Sequence, residues 1–231
     1  MKSPEERAVS RASIKRRAGA PGDGDSKCSV LGCNNLTQRG AGNGLSSTYC
    51  KRHKEMLRRH GSTWRRSYSR HEIDPFRAAA KDWTDANRET SAMRVTFQCL
   101  DALLNAAGEV VPALEVRWLS PKRKAEVALA RFRETGRTGE HLFHIALALE
   151  AAYRELGPRA NLEFLHVQIA KVIHRTASGT HPVTSGGVKL KSSWPRPEGQ
   201  MMRILGKQIR DEARVFDLDG ALESVSKAVT G

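Results

Sequence analysis

The sequence has no long apolar run, no apolar N-terminal segment and only four cysteines in 231 residues. No stretch approaches the roughly 18 apolar residues that a membrane-spanning helix requires. The N-terminus, MKSPEERAVSRASIKRRAG, lacks the apolar core of a signal peptide. We therefore expect a cytoplasmic protein without a membrane partner, in a reducing compartment where thiols stay free.

The sequence also lacks the common catalytic motifs. It contains no glycine-rich phosphate loop ahead of a Lys-Ser or Lys-Thr pair, and no Gly-x-Ser-x-Gly nucleophile elbow. His141 and His144 lie three residues apart beside Glu140 on a predicted helix, and we interpret both as surface histidines. Because no catalytic constellation is found, the sequence does not predict an enzyme.

Acidic residues are scarce in residues 1–70, which contain 5 Asp and Glu against 16 Lys and Arg. The remaining chain contains 20 acidic and 23 basic residues, so most of the net charge of +14 lies near the N-terminus. Concentrated positive charge favours polyanions, because neutralising their phosphates releases condensed counterions. We therefore expect a nucleic-acid partner, DNA rather than RNA, and a nucleoid-associated location. An anionic membrane surface fits less well, since Met56 and Leu57 are the only apolar anchors on the basic helix after Cys50.

Three of the four cysteines lie in one stretch together with a histidine. Cys28 and Cys33 form one close pair, and sixteen residues separate Cys33 from a second pair, Cys50 and His53. Two close pairs separated by a loop are typical of tetrahedral zinc sites, which take thiolate sulfur and imidazole nitrogen. The spacing predicts one structural Zn2+ per chain with these four ligands. Three free thiols beside a surface histidine are the alternative, and Cys99 is predicted to be a buried small residue.

The residues around the four ligands support a metal-dependent fold. Gly32 is predicted to adopt a positive φ in a tight turn before Cys33. The segment KRHKEMLRRH is predicted to form a helix with Cys50 and His53 on one face, ending at Gly61 in the left-handed conformation. The apolar residues of the stretch are too few to fold it without a metal ion. They are Val30, Leu31, Leu36, Leu45 and Tyr49.

The pattern resembles the small Cys3His zinc domain of phage and bacterial proteins, which often stands beside HNH-type endonuclease domains. That domain reads C-x-x-x-G-C, then C-x-x-H, then R-R-x-G. The matching residues are Cys28, Gly32, Cys33, Cys50, His53, Arg58, Arg59 and Gly61. Lys54 stands where the family usually has an aromatic residue, and the loop through Gly40, Gly42 and Gly44 is longer than usual. The resemblance covers residues 27–61 and implies a phage-type or mobile-element-type protein.

Basic residues on and after the predicted zinc helix are the candidate nucleic-acid contacts. Arg65, Arg66 and Arg70 alternate with Trp64 and Tyr68, a pattern that favours phosphate contacts and base stacking. For Trp64, packing against the zinc site is an equal alternative. The residues predicted to contact nucleic acid are Lys51, Arg52, Lys54, Arg58, Arg59, Trp64, Arg65, Arg66, Arg70, Lys189, Lys191 and Arg196.

The predicted fold is mainly α. A basic flexible extension (1–26) and a zinc-binding module of a short hairpin plus a helix (27–70) precede a multi-helix domain (71–231). Helix starts are predicted at Asp74-Pro75, Ser120-Pro121, Thr138, Pro158 and Pro197, and a break at 87–91. Apolar stripes at helical spacing, such as Leu142 to Leu156 and Leu162 to Ile173, predict a core.

Residues 179–196 break the helical pattern, and within them the stretch from Val183 to Leu190 predicts a β-hairpin around Ser185-Gly186-Gly187. With Lys189, Lys191 and Arg196 this hairpin would form a basic wing; a loop between helices is the alternative.

The residues favour a DNA-binding protein with a structural zinc site, and two other classes stay open. The first is an HNH-like or other DNA-processing nuclease that carries the zinc module as an accessory. The second is an adaptor whose helical domain binds a protein partner.

Overall fold

The structure is a computed structural model that describes residues 5–6, 8–9, 12–13, 27–37, 45–157, 161–177, 184–185, 188–189 and 199–231. The chain divides into two compact units, Met1–Arg66 and Ser67–Gly231. The fold is mainly helical, as the sequence predicts. Most of the predicted extension, residues 1–26, and the glycine-rich loop through Gly40, Gly42 and Gly44 lie outside the described residues.

In the first unit, a short turn and one longer helix follow a tight hairpin. Lys27 and Leu36 form an antiparallel bridge that closes the hairpin. Helix α1 spans Leu45–Thr48 and helix α2 spans Lys51–His60.

The second unit is a helical domain with one small hairpin. Its helices are α3 (Arg70–Asn87), α4 (Ser91–Asn105), α5 (Ala113–Val116), α6 (Pro121–Arg133), α7 (Gly139–Leu156), α8 (Leu162–Thr176), α9 (Gly199–Ala213) and α10 (Asp219–Thr230). Strands β1 (Thr184–Ser185) and β2 (Val188–Lys189) pair antiparallel, with Thr184 opposite Lys189. That this hairpin acts as a basic wing stays a prediction. Two of the predicted wing residues, Lys191 and Arg196, lie outside the described residues.

Local capping explains where most helices begin. The Ser120 hydroxyl accepts a hydrogen bond from the Arg123 backbone N–H, and Pro121 is the first helical residue of α6, as predicted. The predicted break between α3 and α4 is confirmed, because Thr90 caps α4.

Two predicted helix starts are wrong. Helix α3 begins at Arg70 rather than at Asp74-Pro75, because Ser69 and Glu72 form a capping box one turn earlier. Pro75 therefore lies inside the helix. Helix α8 begins at Leu162 rather than at Pro158, because the Asn161 side chain accepts a hydrogen bond from the Phe164 N–H.

The core of the second unit surrounds α7. This helix packs against α3, α4, α8, α9 and α10. Its residues are apolar on almost every side, and Ala146, Leu147, Ala148 and Leu149 are all buried. A helix that is apolar all round belongs in the centre of a domain.

The predicted stripes contribute to this core, and Leu162 is the exposed exception among their residues. Leu142, Leu149, Leu165 and Ile169 are buried together in one cluster. Leu162 is 47% exposed, since it is the first residue of α8. Cys99 is half-buried on α4 rather than fully buried.

One acidic side chain is buried against this core. Glu150 of α7 is 5% exposed and accepts hydrogen bonds from Arg210 at 3.1 Å and from Arg214. Two arginines therefore compensate the burial of one carboxylate.

Among the helices of the described residues, none combines the length and the apolar character needed to cross a membrane.

Helices α8 and α9 approach each other closely at a glycine. A Cβ atom on Gly206 would lie 1.9 Å from the carbonyl oxygen of His166. No side chain fits at that distance, so Gly206 sets the spacing of the two helices.

We predict that Gly206→Ala lowers the free energy of unfolding of the second unit by more than about 2 kcal/mol, because the two backbones must separate. Gly220→Ala is the matched control, since a Cβ there meets nothing within 4 Å. That control should be neutral or slightly stabilising. Urea unfolding followed by circular dichroism measures both, and equal effects would contradict the close approach.

Candidate metal centre

The first pair of candidate ligands lies in a tight turn. The backbone N–H of Cys33 donates to the carbonyl of Val30 at 3.0 Å, and the N–H of Cys28 donates to the carbonyl of Asn35 at 3.0 Å. Gly32 has φ of 75°, the positive value that the sequence predicts. The turn thus places both thiols on the same side of the hairpin.

The second pair lies at the start of α2. Cys50 is the residue before the first turn, and its carbonyl accepts a hydrogen bond from the Lys54 N–H at 2.9 Å. His53 follows within the first turn. The helix ends at Gly61, which has φ of 72° and donates to the carbonyl of Leu57, as predicted. Cys50 and His53 therefore face the hairpin from one helix end.

The four side chains meet at one point, as the sequence predicts. Cys28 Sγ lies 3.2 Å from His53 Nδ1, and Cys50 Sγ lies 3.5 Å from the same nitrogen. Cys33 Sγ lies 3.9 Å from Cys50 Sγ. One donor atom from each of the four residues lies within 4.8 Å of all the others.

These separations match the edges of a tetrahedron around one metal ion. A metal–sulfur bond of about 2.3 Å and a metal–nitrogen bond of about 2.1 Å give sulfur–sulfur edges near 3.8 Å and sulfur–nitrogen edges near 3.6 Å. The observed values of 3.9, 3.5 and 3.2 Å lie around these lengths. The residues therefore fit a four-coordinate metal ion.

The surroundings favour the deprotonated form of one cysteine. Burial alone would raise the pKa of Cys28, but backbone hydrogen bonds from Cys50 and Val30 and side-chain contacts with His53 and Cys50 lower it to about 6. The pKa of Cys50 is raised, by burial and by its neighbours Cys28 and Cys33. One thiolate thus forms readily, and the accumulation of further negative charge requires a cation among the sulfurs.

Two of the four candidate ligands are buried, as is Leu57 beside them. The buried apolar side chains of the first unit's described residues are Cys28, Cys50 and Leu57. Leu31 is fully exposed and Leu36 is 37% exposed. The described part of this unit therefore has almost no apolar core apart from the ligands themselves.

Helix α2 separates its metal-binding side from its charged side. At about 3.6 residues per turn, His53 and Leu57 fall on one side of the helix. Away from that side lie four exposed basic residues, Lys51, Arg52, Arg58 and Arg59, whereas Lys54 lies nearer the ligands and is half-buried.

Glu55 partly neutralises this basic side. Arg58 Nε lies 3.1 Å from Glu55 Oε2, and Arg59 donates to the other carboxylate oxygen. The hydrogen bond from Arg58, with that from Arg59, holds the pKa of Glu55 below its usual value.

The segment after α2 carries further predicted contacts. The Ser62 hydroxyl accepts hydrogen bonds from the N–H groups of Trp64 and Arg65 and fixes this turn. Trp64 is 57% exposed, so its ring is not buried against the ligands. Arg66 is exposed and Arg65 is half-buried.

Two residues that follow this segment, Tyr68 and Arg70, form their contacts within the second unit. Tyr68 is buried and its ring meets Phe164 edge to face at 5.2 Å, so it does not form the exposed basic and aromatic pattern that the sequence suggests. Arg70 is exposed and pairs with Asp74 at 3.0 Å.

A second group of metal-binding side chains occurs in the second unit. Asp85, Glu140 and His144 place one ligand atom each within 4.8 Å of the others. His141 and His144, interpreted from the sequence as surface histidines, are half-buried, and burial lowers the pKa of each. The spacing of Glu140 and His144 by four residues is a signal in the sequence, whereas nothing local points to Asp85.

None of the protein-family models, curated proteins and solved structures compared with this chain matches it. The resemblance to the Cys3His domain therefore depends on residues 27–61 alone.

We predict that Cys28→Ser removes the metal ion that survives gel filtration, whereas Cys99→Ser keeps one ion per chain. Cys28 is one of the four clustered donors, and Cys99 lies on α4. Elemental analysis of both purified variants measures this difference. Equal metal contents in the two variants would contradict the assignment.

Proposed function

We propose that the first unit is a nucleic-acid-binding module held together by one structural Zn2+, with duplex DNA as its target. The proposal is supported by the arrangement of α2, whose ligand side and basic side are opposite. Coordination of His53 would hold one side of the helix and leave the other exposed to phosphates.

Zinc is the proposed ion because of the donor set. Three cysteine sulfurs and one imidazole nitrogen are the ligands that structural zinc sites use. Four protein ligands close a tetrahedral shell and leave no position for substrate, so the proposed role is structural. The small apolar content of the unit supports this role, because metal binding then supplies folding free energy.

The basic side of α2 is the proposed DNA contact. Lys51 and Arg52 are exposed in its first turn, and Arg58 and Arg59 are exposed in its last. Such side chains bind phosphates and fix position on a duplex without reading its sequence. Trp64 is exposed just beyond the helix, where its ring is accessible to an unstacked base.

Replacement of Lys51, Arg52, Arg58 and Arg59 by alanine should weaken duplex DNA binding more than about tenfold at 0.1 M salt, because up to four phosphate contacts are lost. The plot of log affinity against log salt should become shallower by about 0.9 for each lost contact. Fluorescence anisotropy with labelled duplex measures both quantities, and a duplex RNA of the same sequence tests the preference for DNA.

The matched control removes four exposed charges from the second unit: Arg94, Arg154, Lys207 and Lys227. It has the same net charge as the first variant and should keep the salt slope of the parent protein. An equal loss of affinity in both variants would show that net charge alone governs binding, and it would overturn the role of α2.

Glu55→Gln should strengthen DNA binding, because it removes the negative charge that pairs with Arg58 and Arg59. We expect a steeper salt dependence than in the parent protein. Glu223→Gln, which frees Lys227 in the second unit, is the control. Weaker binding by Glu55→Gln would contradict the proposed contact surface.

A further inference from the structure

Three polar side chains from two helices meet beside a cavity in the second unit. Asp85 lies in the last turn of α3, Glu140 lies in the first turn of α7, and His144 follows one turn later. His144 Nε2 is 3.9 Å from Glu140 Oε1. That separation is too long for a hydrogen bond.

One ring nitrogen of His144 lacks a hydrogen-bond partner among the described residues, unlike the carboxylates of Asp85 and Glu140. Its Nε2 is enclosed and has no hydrogen-bond partner in the part of the chain that the structure describes. The side chain as a whole is 20% exposed. An enclosed polar atom of this kind indicates a missing partner, such as a water molecule or an ion.

Tight packing holds the first turn of α7 in place. The Gly139 N–H donates to Asp101 Oδ1 at 2.5 Å, and a Cβ on Gly139 would lie 2.5 Å from the carbonyl oxygen of Phe97. The Phe143 ring contacts Trp83 of α3 at a centroid distance of 6.5 Å. The backbones that carry the three polar side chains are therefore fixed relative to each other.

We propose that Asp85, Glu140 and His144 bind a divalent first-row metal ion such as Mn2+. Bonds of about 2.0 to 2.2 Å to oxygen and nitrogen place ligand atoms roughly 3 to 4.4 Å apart. Small side-chain rotations bring the three atoms from their present separations, all within 4.8 Å, to these values. Two carboxylates and one imidazole form a harder donor set than three thiolates and suit Mn2+ better.

Three protein ligands leave coordination positions open. All three residues line a cavity of about 520 Å³, whose floor includes Phe132 and Ile145. Water in the cavity would complete the coordination shell. The site would differ in this respect from the closed Cys3His centre.

Two cations of the protein now balance the carboxylates. Lys81 Nζ lies 2.6 Å from Asp85 Oδ2, and Arg88 Nη2 lies 3.0 Å from Glu140 Oε2. The Lys81 side chain is 62% exposed and can turn into solvent. A metal ion and the Lys81 ammonium group would therefore compete for Asp85.

The test is a titration of the full chain with Mn2+, followed by electron paramagnetic resonance of the free ion. We expect one bound Mn2+ per chain, with imidazole nitrogen coupling in the pulsed spectrum. Asp85→Asn should weaken binding at least about tenfold, since the loss even of an outer-shell partner of a metal ligand costs about 10- to 100-fold in affinity. Asp74→Asn, which changes a carboxylate that lines the same cavity, should leave the affinity unchanged.

Lys81→Met tests the site by a gain in Mn2+ affinity. If Asp85, Glu140 and His144 had a purely structural role, this substitution would give no such gain. Removal of the Lys81 charge should strengthen Mn2+ binding about fivefold or more, the size expected from charges about 4 Å apart at a solvated site. Cys28→Ser should leave Mn2+ binding unchanged, which separates this site from the thiolate centre. The absence of bound Mn2+, the absence of nitrogen coupling, or equal losses in Asp85→Asn and Asp74→Asn would overturn the proposal.

Discussion

The described residues of the first unit include too few buried apolar side chains to stabilise a fold by the hydrophobic effect. Its described buried apolar residues are Cys28, Cys50 and Leu57, and two of these are candidate ligands. Folding must overcome a conformational entropy of about 1 to 2 kcal/mol per residue. Under the proposed function, attraction between a cation and the four clustered donors would offset this entropy. The orientation of α2, and hence of its basic side, would then depend on that attraction.

The second unit is stabilised in the opposite way. Helix α7 is buried on nearly all sides, and the helices around it approach closely enough that Gly139 and Gly206 allow no side chain. Close packing holds these backbones in fixed positions, because protein cores are as dense as organic crystals. The same rigidity holds Glu140 and His144 opposite Asp85. Packing, rather than a metal ion, determines where these three residues lie.

The first site is formed by residues close in the sequence and the second by the packing of two helices. This difference explains how much of each site could be predicted from the sequence. The Cys3His group could be found because its two pairs are short-range patterns: a turn with Gly32 and a helix that begins after Cys50 and ends at Gly61. Most helices of the second unit could also be predicted, since caps such as Ser120 are local. Glu140 and His144 share a helix turn, but Asp85 belongs to another helix. Only the packing of α3 against α7 brings it close, and no local pattern encodes that contact.

Local signals also failed where two of them compete. Asp74-Pro75 is a good helix start in isolation, yet Ser69 and Glu72 satisfy two backbone groups reciprocally one turn earlier. The longer helix loses one hydrogen bond at Pro75, since proline has no N–H to donate. In return it buries Ile73 in the core. Tertiary packing thus extends a helix past a residue that usually begins one, and it thereby assigns Arg70 to the helical unit instead of the basic segment. Charge that is continuous in the sequence from Lys51 to Arg70 is therefore divided between two units, and the proposed DNA contact depends on the part before Ser67.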